Sequence, residues 1–280
     1  ARYGDGAEER VQRLVVALFA AGLGLAAGGC TESSDGANPD PSCHPLATTG
    51  CALPWPSSRF LRADATSATG YRLALPAALL PVGASGLPTD PTRLNLRDGF
   101  SPATTLLWHT DSPIDPAQLP PEHDPVRSLA SDASVQLLDR TTGERVLLFA
   151  ELDGNASRPE DRALLIRPLV RLQPNRTYVA VLRRLVDTAG KRIESAPFEA
   201  LKQGAVSTPN LATEVDRYRD LFLWLDQQGL PRAELTLAWD LHTGSDTQLL
   251  GNLIQMRDEG LRAWDDEQLG YDVTQTTEGG

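Results

Sequence analysis

Four histidines are the side chains of this sequence best suited to acid–base or metal chemistry near neutral pH. Two of them stand in similar strings, because His109 opens HTDS and His242 opens HTGSD. Brought together with Asp111 and Asp246, they would form a metal or acid–base site. Each string also ends a predicted strand, where Thr, Ser and Asp side chains bind turns and helix caps. Nothing in the sequence joins the two strings, so the structural role is favoured.

Other catalytic and cofactor motifs are absent from the sequence. The string GASG (83–86) lacks the spacing of a G-x-S-x-G nucleophile elbow, since Leu87 stands where the last glycine belongs. No G-x-G-x-x-G, P-loop or H-E-x-x-H occurs. The acidic segment 151–161 is similar to a calcium loop, but Leu164 replaces the bidentate glutamate, so a surface turn is predicted. We expect no cofactor, no metal and no catalytic residue in this chain.

The five tryptophans could form a platform for a carbohydrate ring. Three of them, Trp224, Trp239 and Trp264, lie within apolar runs, which favours packing in a core instead. The other two are Trp55 and Trp108.

Length and charge limit the classes of partner. The chain has 280 residues, enough for one large domain or two small ones. Its formal net charge is -11, with 26 Lys and Arg against 37 Asp and Glu. Nucleic acid is excluded as an expected partner, because binding to phosphates needs a basic surface. The last residues, TTEGG, complete no element, and we expect the chain to be part of a longer gene product.

The N-terminal part of the chain resembles a bacterial lipoprotein signal. A basic region precedes the apolar stretch LVVALFAAGLGLAAGG, which is shorter than the about 20 residues of a membrane-spanning helix. Two small residues, Gly28 and Gly29, stand before Cys30 as in a lipobox, although Ala27 replaces the usual leucine. The resemblance implies that Cys30 carries lipid and begins the mature chain, after removal of a signal peptide (1–29). A retained transmembrane segment or a plain secretory signal is the alternative.

The resemblance places the following residues outside the cytoplasm. The string TESSDGANPDPS (31–42) has no large apolar residue to offset its ordering entropy, so we expect 30–56 to be a flexible tether. In an oxidising compartment Cys43 and Cys51 are expected to form a disulfide. The alternative is a metal site with His44, for which two thiolates and one adjacent imidazole make a poor tetrahedron. The lipid anchor makes the membrane an expected partner, at the outer membrane or surface of a Gram-negative bacterium.

Short apolar runs separated by turns predict a β-rich body over residues 57–208. The six runs lie at 71–75, 104–109, 134–139, 145–152, 162–168 and 177–187. The turn DRTTGER, with Gly143, predicts a hairpin between the third and fourth runs. Several short strands in this arrangement are typical of a sandwich of two sheets.

One spacing within this body is that of a tyrosine corner. In LVRLQPNRTYVAV, Leu172, Pro174 and Tyr178 are placed so that the tyrosine hydroxyl would bind the backbone of the preceding turn. Asn175 tolerates the positive φ that such a turn favours. Together with SPIDPAQL and VDTAGKRI, this string resembles bacterial Ig-like modules. The resemblance implies an Ig-like β-sandwich and is silent on function.

In the C-terminal part of the chain the apolar period changes to that of helices. The string TEVDRYRDLFLWLDQQGLP predicts a helix with a capping box at Thr213 and Asp216. A strand is predicted at 233–245, and a second helix begins with a capping box formed by Ser245 and Gln248. The second helix is expected to bury Leu249, Leu250, Leu253, Ile254, Leu261 and Trp264.

The order of these features resembles the N-terminal region of bacterial lipoprotein lipases and hydrolases. In that family a P.P.d.f opening, an Ig-like module and an aWdFtT strand precede an α/β-hydrolase domain. The matching residues are Leu53, Pro54, Pro56, Phe60, Trp239, Asp240, Thr243 and Ser245, whereas Leu241 and His242 depart. The resemblance implies that this chain anchors and spaces a downstream lipase or esterase domain and is itself inactive. The alternative is a stand-alone surface adhesion or ligand-binding lipoprotein.

The predicted fold is mainly β, an Ig-like β-sandwich followed by a helix–strand–helix segment, and therefore α+β as a whole. The predicted parts are a signal peptide (1–29), a flexible tether with a disulfide (30–56), the sandwich (57–208), the helix–strand–helix segment (209–270) and the truncated start of a further domain (271–280). The expected partners are the membrane, through the lipid, and the downstream domain of the same chain.

Overall fold

The computed structural model describes residues 35–265. In this range the chain forms eight β-strands and four α-helices, joined by loops and short 3₁₀ helices. The strands are β1 (Leu61–Ala63), β2 (Tyr71–Leu73), β3 (Leu106–Trp108), β4 (Val135–Asp139), β5 (Leu148–Leu152), β6 (Leu164–Pro168), β7 (Thr177–Arg183) and β8 (Leu235–His242). The helices are α1 (Ala196–Gln203), α2 (Pro209–Ala212), α3 (Val215–Gln227) and α4 (Asp246–Asp265). The predicted mixed α+β class is confirmed.

The strands form three antiparallel sheets. β1 and β2 make a short hairpin, whereas the two larger sheets have the strand orders β3–β6–β5 and β4–β7–β8. In the second of these, β7 lies in the centre and pairs with β8 along its whole length. Every residue of β8 is buried. Because successive side chains of a strand point to opposite faces, the sheet is covered on both faces at β8.

One cluster of buried apolar side chains joins the two larger sheets. It takes Trp108, Leu148 and Ile166 from the first sheet. Val179 and Trp239 come from the second. A shared core explains why the strands are rich in large apolar residues, since burial of each such side chain stabilises the fold by about 1.5–3 kcal/mol. The finer prediction, an Ig-like sandwich, stays a prediction.

The predicted hairpin after β4 is formed only at its turn. Gly143 has the positive φ of +75° that the turn requires, and a Cβ at this residue would lie 2.4 Å from the Gln228 Oε1 atom. Leu138 and Arg145 form a bridge across the turn. Beyond it β5 pairs with β6 and not with β4. The predicted hairpin is therefore present where the two runs adjoin, since the Val146 N–H donates to the Leu137 carbonyl over 2.8 Å, and beyond this point the chain crosses from one sheet to the other.

The segment predicted as a flexible tether is packed from Asp35 onward. Asp35 and Leu46 are buried. Trp55 exchanges two backbone hydrogen bonds with Leu107 at the edge of β3. The composition of the segment hides these contacts, because many of them are made by backbone groups and single polar side chains. The predicted boundary at the end of the tether is therefore wrong, and residues 35–56 belong to the folded body.

The predicted boundary between 57–208 and 209–270 cuts through a sheet. β7 lies on one side of it and its partner β8 on the other. An aromatic cluster also crosses it, because Phe198 of α1 packs edge-on against Tyr218 and Phe222 of α3. The two predicted parts thus form one body. The predicted signal peptide and the predicted start of a further domain (271–280) lie outside the described residues.

The two predicted capping boxes have different outcomes. Thr213 does not cap α3, because its hydroxyl donates to the Asn210 carbonyl over 2.8 Å, and the N-cap is Glu214. Ser245 does cap α4, since its Oγ accepts a hydrogen bond of 3.1 Å from the Gln248 backbone N–H. Both helices have the predicted type and nearly the predicted extent.

Candidate functional site

The structure gives the two histidines of the HTDS and HTGSD strings separate surroundings. The His109 Nδ1 atom lies 2.5 Å from the Thr49 hydroxyl, whereas His242 is buried at the end of β8. Asp246 forms an ion pair with Arg171 over 2.6 Å. Within residues 35–265, no hydrogen bond or ion pair joins any two of the four candidate groups, His109, Asp111, His242 and Asp246. The structure does not assemble them into one site.

Both ring nitrogens of His242 take part in hydrogen bonds. The Asn175 Oδ1 atom lies 3.2 Å from Nε2 and can only accept, so Nε2 donates. Nδ1 then accepts from the Thr177 hydroxyl over 2.9 Å. Burial lowers the pKa of His242, and the charges of Asp240 and Asp98 oppose this only in part. The imidazole is therefore neutral at pH 7 and acts as a structural bridge.

His44 and Ser57 form a buried histidine–serine pair that the sequence did not predict. The His44 Nε2 and Ser57 Oγ atoms are 2.9 Å apart, a distance at which a base can activate a serine. The Leu46 backbone N–H, however, donates to His44 Nδ1 over 3.1 Å, so Nε2 carries the hydrogen and donates to Ser57. Ser57 has no exposed surface. The pair therefore fastens this segment and is not arranged for nucleophilic catalysis.

A buried charge cluster, defined as Arg59, Glu214, Arg217 and Asp240, joins this segment to α3 and β8. The two Glu214 oxygens lie 3.2 Å from Arg59 Nε and 3.0 Å from Arg217 Nη1. Arg217 also pairs with Asp240. Burial would lower the pKa of Arg217, but the two carboxylates outweigh this effect and raise it. The two carboxylates are buried and the two guanidinium groups are about a quarter exposed, so each buried carboxylate has a partner.

Two more side chains fasten the segment that begins at Asp35. The Asp35 carboxylate accepts hydrogen bonds from the backbone N–H groups of Ser207 and Thr208, over 2.8 and 2.7 Å, and from the Thr208 hydroxyl. Burial alone would raise the pKa of Asp35, but these bonds hold it well below its usual range. Asn210 Nδ2 donates to the Asn38 carbonyl over 2.9 Å. These hydrogen bonds offset the conformational entropy that the segment loses when it becomes ordered.

Cys43 and Cys51 form the expected disulfide, with an S–S distance of 2.04 Å. This bond removes the metal alternative, because the two sulfurs bind each other and both nitrogens of His44 are hydrogen-bonded. Over the described range no three His, Cys, Asp or Glu side chains are grouped so that they could hold a metal ion. The predicted lipid-attachment residue, Cys30, lies outside the described residues.

The residues of the predicted tyrosine corner lie at the start of β7. The Tyr178 hydroxyl accepts a hydrogen bond of 2.8 Å from the Gln173 backbone N–H. Leu172 is buried, and the chain bends at Pro174 and Asn175, where Asn175 has a φ of +51°. Burial raises the pKa of Tyr178. This is the contact that the spacing predicts, and it holds the turn before β7.

Helix α4 exposes most of the apolar side chains that the sequence expected it to bury, whereas Leu249 is half-buried. The exposed side chains include Leu250, Leu253, Ile254, Met256, Leu261 and Trp264. Its first turn is fastened, because Ser245 Oγ donates to Asp98 Oδ2 over 2.6 Å and Arg97 donates to Gln248 Oε1 over 3.0 Å. The predicted burial is wrong within residues 35–264, since the folded body covers the start of the helix and leaves the rest exposed.

The acidic groups of the calcium-like segment already have partners. Glu151 pairs with Arg167 over 2.5 Å, and Asp161 pairs with Arg158 over 2.7 Å. Asp153 accepts a hydrogen bond from the Asn155 backbone N–H, which is an ordinary turn contact. These contacts agree with the predicted surface turn.

The five tryptophans have different environments. Trp108 and Trp239 are buried, Trp55 and Trp224 pack half-buried against the core, and Trp264 is 52% exposed on α4. Core packing is therefore correct for Trp239 and wrong for Trp264.

Comparison of the chain with protein-family models, with curated proteins and with solved structures gave no match. The resemblance to bacterial lipoprotein hydrolases therefore stays a prediction. Among the helices that the structure describes, none combines the length and the apolar character needed to cross a membrane.

Proposed function

We propose that this chain is the non-catalytic N-terminal portion of a bacterial cell-envelope lipoprotein. A lipid on Cys30 would anchor it at the outer membrane or cell surface of a Gram-negative bacterium. The folded body would carry a downstream lipase- or esterase-type α/β-hydrolase domain. The observation that supports this best is helix α4, whose first turn is fastened to the body and whose apolar side is exposed.

The role proposed for the body is that of a rigid spacer. Its two larger sheets share one core, and the chain crosses between them after β4. The hydrogen bond from Gln173 to Tyr178 stands at the start of β7. These features support the finer proposal of an Ig-like β-sandwich, to which α1 and α3 are added. Such a fold indicates no activity by itself, so the role rests on the two ends of the body.

The N-terminal attachment point would lie close to the lipid. Asp35 is the fifth residue after Cys30. Its carboxylate is held by hydrogen bonds from Ser207 and Thr208. Five residues reach at most about 17 Å when fully extended. The body would therefore stay near the membrane surface, and not at the end of a tether that runs to residue 56.

The C-terminal attachment point would be α4. A helix of 20 residues is about 30 Å long. The apolar side chains along α4 gain free energy when another surface covers them. A downstream domain of the same chain is the proposed occupant, because α4 is covalently continuous with the residues that follow it. The helix would then set both the distance and the orientation of that domain.

Metabolic labelling with radioactive palmitate tests the anchor. We expect label on the wild-type protein expressed in a Gram-negative host and no label on Cys30→Ala. Ser33→Ala is the matched control, because it changes a neighbouring small residue and leaves the thiol. Label on the Cys30→Ala variant would contradict the proposed anchor.

An assay of ester hydrolysis tests whether this chain is catalytic by itself or whether activity requires the longer gene product. We expect the purified chain to leave p-nitrophenyl esters intact, and the longer product, if it contains G-x-S-x-G, to hydrolyse them. Hydrolysis by the chain alone would overturn the non-catalytic role. Loss of that hydrolysis in His109→Ala would then assign it to this chain.

A further inference from the structure

A polar cleft of about 400 Å³ opens beside the end of β7 and has no role in the proposed anchor and spacer. Its walls come from the 3₁₀ helix Pro125–Leu129, from the loop that leads into β4, and from the end of β7. The charged side chains that line it are Arg127, Asp132, Arg183 and Arg184. These residues define the arginine cleft.

Arg183 and Arg184 reach the same carboxylate although they are adjacent in sequence. In a regular strand, successive side chains point to opposite faces of the sheet. Here a register shift lies between Leu182 and Arg183, and Arg184 has a φ of +52°, which residues other than glycine seldom adopt. As a result, both guanidinium groups pair with Glu234. The irregular backbone therefore gives the cleft two neighbouring guanidinium groups.

The walls of the arginine cleft are held by internal hydrogen bonds. The Gln118 side chain donates to the Val186 carbonyl over 2.7 Å and accepts from the Val186 N–H over 3.0 Å. Ser134 Oγ donates to the Gln118 carbonyl. Arg183 Nη1 donates to the Ser131 carbonyl over 2.9 Å. A cleft with fixed walls needs little ordering when a ligand binds.

Several N–H groups of the arginine side chains in the cleft donate no hydrogen bond to residues 35–265. Within the described residues the Arg127 guanidinium has no hydrogen bond or ion pair, and Arg184 uses only Nη2, in its pair with Glu234. The site contains three positively charged guanidinium groups and two negatively charged carboxylates, those of Asp132 and Glu234. The site is therefore positive in a chain whose formal net charge is -11. A local positive site of this kind attracts anions.

We propose that the arginine cleft binds the phosphate group of a small phosphate ester. Guanidinium forks match phosphate oxygens in a bidentate manner. Arg127 and Arg184 lie on different walls of the cleft, so they can bind different oxygens of one tetrahedral anion. A planar carboxylate offers only two oxygens in one plane. The volume of the cleft leaves room for the alcohol part of the ester.

Isothermal titration calorimetry with inorganic phosphate, on the purified mature protein in nonionic detergent and at low salt, tests the site. We expect Arg127→Ala and Arg184→Asn each to weaken binding about tenfold, because each removes a charge-assisted donor pair. Asparagine is chosen at residue 184 because it tolerates positive φ. Asp132→Asn removes a repulsive charge and should tighten binding about threefold. Arg93→Ala, an exposed arginine outside the cleft, should leave it unchanged.

Two further probes distinguish the source of the phosphate. Tighter binding of glycerol phosphate than of a hexose phosphate would support a lipid headgroup, and the reverse order would support a free sugar phosphate. No binding heat with any probe at millimolar concentration would overturn the proposal, and so would equal losses in Arg127→Ala and Arg93→Ala. Arg127 has no partner within the described residues, so its variant should keep the wild-type unfolding midpoint.

Discussion

Helix α3 buries four large apolar side chains, whereas helix α4 exposes most of its own, although both sequences place apolar residues at spacings of three and four. In α3 the buried residues are Tyr218, Leu221, Phe222 and Leu225. In α4 the corresponding side chains are exposed, up to 65% at Leu253 and 69% at Met256. The apolar spacing thus predicts a helix, but it does not predict whether another surface covers the apolar side of that helix.

The difference lies in what the rest of the chain places opposite each helix. α3 meets Phe198 of α1, and the Tyr218 hydroxyl donates to the Ala238 carbonyl of β8 over 3.0 Å. The Arg232 guanidinium stacks 4.4 Å above the Phe222 ring. The first turn of α4 is fastened to the body at Asp98, Arg97 and Arg171. An amphipathic sequence therefore indicates that one face of the helix is favoured to be buried. In α3 the rest of the fold covers that face.

Truncation of one apolar side chain on each helix should give the largest contrast. Phe222→Ala removes a ring that packs against Phe198 and Tyr218, so we expect the free energy of unfolding to fall by about 4 kcal/mol. Leu253→Ala should change it by less than about 0.5 kcal/mol, because the side chain is exposed. Urea unfolding followed by circular dichroism measures both. Equal losses would show that α4 is covered by another part of the chain.

Removal of one arginine on each helix should give the next largest contrast. Arg217→Met leaves Glu214 and Asp240 buried without a shared partner, which should cost about 3 kcal/mol. Arg257→Met on α4 breaks an exposed pair with Asp258 and should cost less than about 0.5 kcal/mol. The same urea titration compares the two variants. A small loss for Arg217→Met would mean that water reaches the buried charge cluster.

Acid should weaken the region around α3 by a smaller amount. Burial, and then the charges of Arg217 and Arg59, lower the pKa of His44 well below its value in the unfolded chain. The unfolded chain therefore takes up a proton first as pH falls. The stability contributed by neutral His44 is complete well above the unfolded-chain pKa of about 6.5 and is lost progressively as the pH falls through and below that value. His242, whose pKa is also lowered by burial, acts in the same direction.

The pH dependence of the free energy of unfolding measures this effect. We expect His44→Gln to flatten the acid side of the curve. His123→Gln is the matched control, because His123 is exposed and its variant should keep the wild-type slope. An identical loss of stability with falling pH in wild type and His44→Gln would contradict the assignment.

Local spacing predicted the elements that depend on neighbours in sequence. The run 177–187 became β7 and the run 233–245 became β8, and the two strands are shorter than the runs by four and five residues. The disulfide joins cysteines eight residues apart, and the hydrogen bond from Gln173 to Tyr178 spans five. Each of these rests on a short loop or turn whose geometry the intervening residues largely determine.

Contacts between distant residues were not predictable in the same way. The buried charge cluster joins Arg59 to residues of α3 and β8 more than 150 positions along the chain. The His44–Ser57 pair arises because both residues lie in the packed segment, whose composition predicted a tether. The arginine cleft depends on the register shift between Leu182 and Arg183 and on the positive φ of Arg184, which no residue type signals.

By itself, the sequence determined where α3, α4 and the strands β2 to β8 form, because helix and strand periods are local properties. It also placed Tyr178, Cys43 and Cys51 within reach of their partners. The tertiary structure alone decided that α3 is covered and that α4 is exposed, and it alone joined the segment from Asp35 to the body. Burial and ion pairing require a facing surface, and that surface comes from residues far away in the chain.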